Sequence, residues 1–206
     1  MLFDLFLSAF ATLFVIIDPP GCAPIFAGLT ARFEARHRRA MAIRACVVAG
    51  GILLFFALFG QQLLGALHIE LDAFRIAGGI MLFLIALDMV FEKRTQRREQ
   101  RAEQVMADPT QDDVSIFPMA MPMLAGPGAI ASVMLLQSNA DGLPGTLVVL
   151  GALGLVLLLT MLALLAAGPL MKAVGPRFEA VLTRLLGVLL AALASQYVID
   201  GIRGSF

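Results

Sequence analysis

Six apolar stretches divide this chain, at residues 3–30, 41–67, 73–91, 116–137, 145–167 and 182–199. Each is long enough to cross a hydrocarbon core of about 30 Å. With 60% hydrophobic residues and a mean hydropathy of +0.91, the apolar surface exceeds what a soluble domain of 206 residues can bury. Inside lipid every backbone N–H and C=O needs an internal partner, so spans of this kind form helices. The expected fold is an all-α integral membrane protein with six transmembrane helices in a single membrane domain, residues 1–206.

The first stretch is too long for one straight span. At about 1.5 Å per residue it would run to roughly 42 Å, which demands strong tilt or a break. Asp18-Pro19-Pro20-Gly21 supplies the break, and Gly126-Pro127-Gly128 echoes it in the fourth stretch. Broken helices at membrane depth occur where protein or a water-filled cavity meets the freed backbone groups, so helices 1 and 4 are both expected to border a site. Asp4 stands where a cleaved leader would carry a basic residue, and the first stretch therefore reads as a retained span.

Arginine and lysine fix an orientation. Arg32, Arg36, Arg38 and Arg39 follow the first span, Lys93, Arg94, Arg97, Arg98 and Arg101 follow the third, and Lys172 and Arg177 follow the fifth; the other two connections carry none. With six crossings these three basic connections share one side, which the positive-inside rule assigns to the cytoplasm. The expected location is a bacterial inner membrane, multi-pass, with both termini on the outer, periplasmic side.

The same six spans divide into three plus three. Asp18-Pro19 and Gly126-Pro127 are 108 positions apart, while Arg75-Ile76-Ala77-Gly78 and Arg184-Leu185-Leu186-Gly187 are 109 apart. A near-constant offset on rare residues points to a duplication, and three spans per half would make the two repeats inverted. Repeat one would cover about 1–91 and repeat two about 116–206. The charged connection 92–115 reads as a solvated linker or a helical extension of span three.

Several function classes are excluded. Zero formal net charge removes the basic surface that nucleic-acid binding requires. Cys22 and Cys46 lie in apolar stretches without metal-ligand spacing and read as packing residues. No His-Glu-x-x-His motif is present, and His37 and His68 fall on opposite sides of the membrane, so an intramembrane hydrolase is not expected. The reading is of a protein that is not an enzyme and needs no cofactor.

The breaks define a candidate site. Proline is favoured at the first helical position, so Asp18 and Gly126 each read as the cap of an inner half-helix. Asp18 can satisfy its own helix, whereas Gly126 leaves the amides of Gly128 and Ala129 open to an anion at a positive dipole end. Pro19 and Pro20 lack the N–H groups that the carbonyls of Val15 and Ile16 would accept, so those carbonyls and Asp18 favour a cation. An anion pole beside a cation pole suits a zwitterion. The substrate-binding candidates are Asp18, Pro19, Gly21, Gly126, Pro127, Gly128, Ala129 and Ser132; the ion-coupling candidates, for sodium or a proton, are Asp18, Val15 and Ile16. The competing account of the small residues is close helix packing, as for Gly50, Gly51, Gly151 and Gly154, and that of Asp18 is a cap in a kinked helix. Arg75, Arg184, Asp88 and Asp200 lie near span ends, where snorkelling explains them. Thr160, Ser195 and Gln196 either line a path or bond between helices.

Asp18-Pro-x-Gly-x-x-Pro-Ile25, Arg75-Ile-Ala-Gly-Gly-Ile80, Pro122-x-x-x-Gly-Pro-Gly-Ala-Ile130 and Arg184-Leu-Leu-Gly187 with Asp200-Gly201-Ile202 together resemble the MarC family. The likeness runs the whole length in order. It implies a six-span bacterial inner-membrane protein near the LysE-type exporters, grouped with transporters of small neutral amino acids, and it does not imply drug efflux. The chain departs from that pattern at Asp18, where many members carry asparagine, and at Pro20, where they carry an aliphatic residue. The expected function is ion-coupled secondary transport of glycine, alanine or serine across the lipid bilayer. The alternatives are an exporter or channel for other small metabolites or drugs, and a non-transporting membrane helper.

Overall fold

The computed structural model describes residues 2–94, 96–98, 100 and 113–206, with the backbone alone for 169–180. The helical segments bounded within the described residues are, in order, α1 (Leu2–Ile17), α2 (Pro19–Leu29), α3 (Ala35–Ala66), α4 (Leu71–Val90), α5 (Ser115–Leu124), α6 (Pro127–Ser138), α7 (Gly142–Leu165) and α8 (Ala167–Gly204), and the described residues of 93–100 continue as helix after α4. Among the described residues five units are long and apolar enough to span a membrane, α1 with α2 counting as one, and six if the bent pair α5 and α6 is also one span. The chain is an all-α, multi-span integral membrane protein. Its outer surface carries Val47, Phe55, Phe59, Leu185 and Leu189, each more than half exposed, as a lipid-facing surface requires.

The first span breaks at Asp18, which adopts the left-handed conformation (φ 59°, ψ 65°) that aspartate tolerates better than most residues. Its N–H still donates to the Phe14 carbonyl at 2.9 Å, and its own carbonyl accepts from Cys22 at 3.0 Å. The fourth span is less regular than a single helix. It bends by 52° between α5 and α6, and α5 is itself interrupted by extended backbone at Phe117 and Met121. Both residues precede a proline, whose ring disfavours the helical conformation in the residue before it. Pro118 and Pro122 thus add breaks that the reading of residues 116–137 as one helix with a single break did not contain.

Arg36, Arg38 and Arg39 lie in the first turns of α3 and not in the connection before it, and the His37 ring from the same turns meets that of Phe33 at a tilt of 42°. α3 is consequently about 48 Å long and extends beyond a bilayer core.

The main contact is the pairing of α4 with α8. Gly79 faces Val198 and Ala194, where an added Cβ would lie 2.7 Å and 2.8 Å from their atoms; Gly187 faces Met89, Ala86 and Val90 at 2.9–3.1 Å. Glycine allows both backbones to close together. These two contacts are reciprocal, since Gly187, Val90 and Ala86 stand 108 positions from Gly79, Val198 and Ala194. Three further pairs match in the same way: α1 packs on α7 as α5 does on α3, α2 on α7 as α6 on α3, and α2 on α8 as α6 on α4; the contacts of α1 with α6 and α8 and of α6 with α7 are not matched to the same extent.

Candidate functional site

The two breaks meet across one cavity of about 410 Å³. Ile16 at the end of α1 forms one wall, Gly126, Pro127, Gly128 and Ala129 at the start of α6 form another, and Met81, Leu84, Ile85 and Asp88 of α4 form a third. Arg94, Arg97 and Arg98 close it from the segment that follows α4. A volume of this size lies within the range of small-molecule sites, about 300–1,000 Å³.

The first break can be followed group by group. Pro19 and Pro20 remove two donors, and Gly21 N–H turns from the ladder to Asp18 Oδ1 at 3.2 Å. Three carbonyls are left over, at Val15, Ile16 and Ile17. Cys22 Sγ donates to the Ile17 carbonyl at 3.3 Å, and Arg94 donates to that of Ile16. Asp18 Oδ2 accepts from Arg98 Nη1 at 2.9 Å in an ion pair whose side chains are only 2% and 10% exposed. The Asp18 carboxylate and the Ile16 carbonyl, expected to await a coupling cation, are therefore met by the chain's own guanidinium groups. Gly21 is required here because an added Cβ would come within 2.3 Å of the Asp18 carboxylate.

At the second break Gly126 has extended backbone and no side chain to cap α6, and Pro127 takes the first helical position. An added Cβ on Gly126 would lie 2.4 Å from the Pro122 carbonyl oxygen, and one on Gly128 would lie 2.4 Å from Ile85. Both glycines let backbone approach closely, and both leave the amino end of α6 facing the cavity.

Of the residues singled out in the sequence, Ile16, Gly126, Pro127, Gly128 and Ala129 line the cavity. Asp18 stands one side chain behind it, through Arg98. Val15, Pro19, Gly21 and Ser132 are buried without lining it, and Ser132 Oγ has no hydrogen-bond partner among the described residues. Thr160 Oγ1 and Ser195 Oγ donate to carbonyls four residues back in their own helices, and Gln196 pairs with Asp200, so none of these bonds joins two helices.

Two assignments need correction. The segment after α4 is not wholly a solvated linker, because Arg94 and Arg98 turn inward to the first break; residues 101–112 of that connection lie outside the described residues. Asp88 does not merely snorkel at a span end, since it lines the cavity and pairs with Arg97. A sequence signal for the first point existed: Arg94 and Arg98 are four apart and fall on one face of a helical continuation. Burial, with Arg98 beside it, pulls the Arg94 guanidinium down to about 10, so it remains a cation at neutral pH. It has no carboxylate partner among the described residues.

The model of the MarC family integral membrane proteins matches residues 3–206. The chain belongs to the MarC family. Relatives extend across bacteria and archaea. A UPF0056 membrane protein of Methanocaldococcus jannaschii is 38% identical over 200 residues, 97% of each chain. The UPF0056 membrane protein YvbG of Bacillus subtilis is 31% identical over 206 residues, covering 100% of this chain and 98% of that one. The UPF0056 inner membrane protein YhgN of Escherichia coli is 33% identical over 197 residues, 96% of this chain and 95% of that one. No solved structure matches. This MarC chain thus has relatives of its own length, and their names specify a membrane protein and no substrate.

Proposed function

We propose that this MarC chain is a secondary transporter of small neutral amino acids, of the glycine, alanine and serine class, coupled to an ion. The observation that carries the reading is the cavity between the two breaks. A substrate carboxylate would meet Arg94 and the uncapped amino end of α6, and the ammonium would face Asp88, whose partner Arg97 is two-thirds exposed. The site residues in this reading are therefore Arg94, Asp88, Gly126, Pro127, Gly128 and Ala129, with Asp18 behind them.

The reciprocal packing around α4 and α8 supports two inverted three-helix repeats, the arrangement from which alternating access by rocking follows. The positive-inside rule then places the arginine side of the cavity in the cytoplasm and both termini outside. The name of the Escherichia coli relative supports an inner-membrane location.

Purified protein in liposomes, given labelled glycine, alanine and serine under imposed sodium and proton gradients, tests the reading. Saturable, gradient-driven flux is expected. Flux without saturation would favour a channel, and no flux would favour a helper role. A second reading, export of amphiphiles, has its own support: an apolar groove of about 430 Å³, lined by Phe56, Leu63, Phe74 and Met134, shares Met81, Pro122 and Pro127 with the cavity. Flux of a hydrophobic cation in preference to the three amino acids would favour it.

A further inference from the structure

We propose that Arg98 is a tethered counter-ion that holds the place of a monovalent cation at Asp18, and that sodium or a proton enters as Arg98 withdraws. Burial is what ties the two events together. Asp18 is fixed in the first span at the break between α1 and α2, with one oxygen committed to Gly21 and the other to Arg98. Arg98 belongs to a different part of the chain, beyond the end of α4. Removing one partner of a buried ion pair leaves an uncompensated charge, which is strongly unfavourable. Any movement that takes Arg98 out must therefore bring another cation in.

Arg94 makes the exchange concerted. It stands four residues before Arg98, on the same helical face, and holds the Ile16 carbonyl. Withdrawal of that face frees a carboxylate oxygen and a neighbouring carbonyl together, and hard oxygen ligands of this kind suit sodium. Among the described residues, the other charged or titratable groups toward Asp18 are Cys22 on α2, which donates to Ile17, and Asp88 with Arg97 across the cavity. α6 and α7 carry none, and on α8 Arg184 is paired with Glu92. Asp18 is thus the group whose charge changes hands. The use of this exchange for coupling rests on the transport reading above; the exchange itself does not.

The test needs no substrate. The melting midpoint of the purified full chain in detergent is followed as sodium replaces choline at constant ionic strength, and separately as pH falls from about 8 to 3, a range that spans carboxylate titration. Wild type, Arg98→Gln, Asp18→Asn and the double variant are compared. Arg98→Gln should be stabilised by sodium or acid, at a cation concentration at least about tenfold lower than wild type needs, because its competitor is gone. Both chains carrying Asp18→Asn should respond to neither. A response to sodium identifies that ion, and a response to acid alone identifies the proton. The exchange is wrong if Arg98→Gln responds no more than Asp18→Asn, or if wild type responds as strongly as Arg98→Gln. Should Arg98→Gln fail to fold, the exposed Gln100→Cys provides a second measurement. At each pH its thiol labelling is compared with that of the same variant carrying Asp18→Asn, because acid slows every thiol alike; the ratio of the two rates should rise with sodium or acid, and a ratio that stays constant overturns the proposal. Amino acid flux without any of these responses removes the exchange alone, and the responses without flux remove the substrate class alone.

Discussion

Arg98 Nη1 lies 2.9 Å from Asp18 Oδ2, so the break in the first span is neutralised by a cation supplied from beyond α4. Asp18 performs two tasks with its two oxygens, capping α2 through Gly21 and fixing Arg98 at the cavity wall. The two tasks separate by mutation.

Asp18→Ala removes cap and ion pair together and leaves Arg98 buried without its partner, a loss of about 3–5 kcal/mol by analogy with other buried pairs. Asp18→Asn retains an acceptor for Gly21. It should be more stable than Asp18→Ala by about 1 kcal/mol, the usual worth of a cap. Thermal unfolding of the two variants in one detergent measures the difference, and equal midpoints would remove the cap from the account.

Glycine substitutions distinguish close approach from mere composition. Gly126→Ala forces a methyl to 2.4 Å from the Pro122 carbonyl, and Gly21→Ala forces one to 2.3 Å from the Asp18 carboxylate. Both should be destabilising, by about 1–3 kcal/mol or more as for overpacked sites. Gly51 and Gly154 have nothing within 4 Å of an added Cβ. Alanine there should be neutral or stabilising by up to about 1 kcal/mol, the helix-propensity difference. Melting midpoints of the four single variants check the contrast.

The α4 and α6 helices are also joined away from the arginines. Arg75 Nη1 pairs with Asp72 at 2.8 Å, and its Nη2 donates to Asn139 Oδ1 at 2.9 Å, where Asn139 ends α6. Arg75 and Asp88, which lines the cavity, are thirteen residues apart on α4, about 20 Å along its axis. The bond ties α4 to the end of α6 on the side remote from Asp88, where release of the two helices should expose Ser138. Asn139→Ala should change stability by less than about 1 kcal/mol, because the bond is exposed. It should nevertheless raise the labelling rate of Ser138→Cys by a membrane-impermeant thiol reagent; an unchanged rate would show that Arg75 does not hold the two helices together there.

Ser132 gives a prediction of opposite sign to most core substitutions. Its Oγ is fully buried and has no partner among the described residues. Ser132→Ala should therefore be neutral or stabilising by up to about 1 kcal/mol, since it removes a desolvated hydroxyl. A clear loss of stability would mean that the hydroxyl has a partner, such as a buried water.

Legibility in the sequence followed the range of the interactions concerned. The breaks at Asp18 and Gly126 were readable because proline and glycine act on the backbone within four residues. The multi-span class was readable because burial in lipid depends on composition over about twenty residues. Arg94, Arg97, Arg98 and Asp88 were not assigned to the site, because a charge run after a span has the same local pattern whether it faces water or turns inward. What turns it inward is contact with Ile16 and Asp18, 78 and 80 positions away. The extra irregularity in α5 was written in Pro118 and Pro122, and was hidden by the apolar run around them.

The central claim is that Arg94 and the amino end of α6 bind the carboxylate of a small neutral amino acid in the cavity between the two breaks. Equilibrium binding of radiolabelled alanine to purified wild type and Arg94→Gln tests it most directly. Saturable binding of about one alanine per chain is expected in wild type, weakened at least about tenfold in Arg94→Gln, as loss of a charged hydrogen bond worth about 1.5 kcal/mol or more requires. Equal affinity in the two proteins, or no saturable binding to wild type of alanine, glycine or serine, would contradict it.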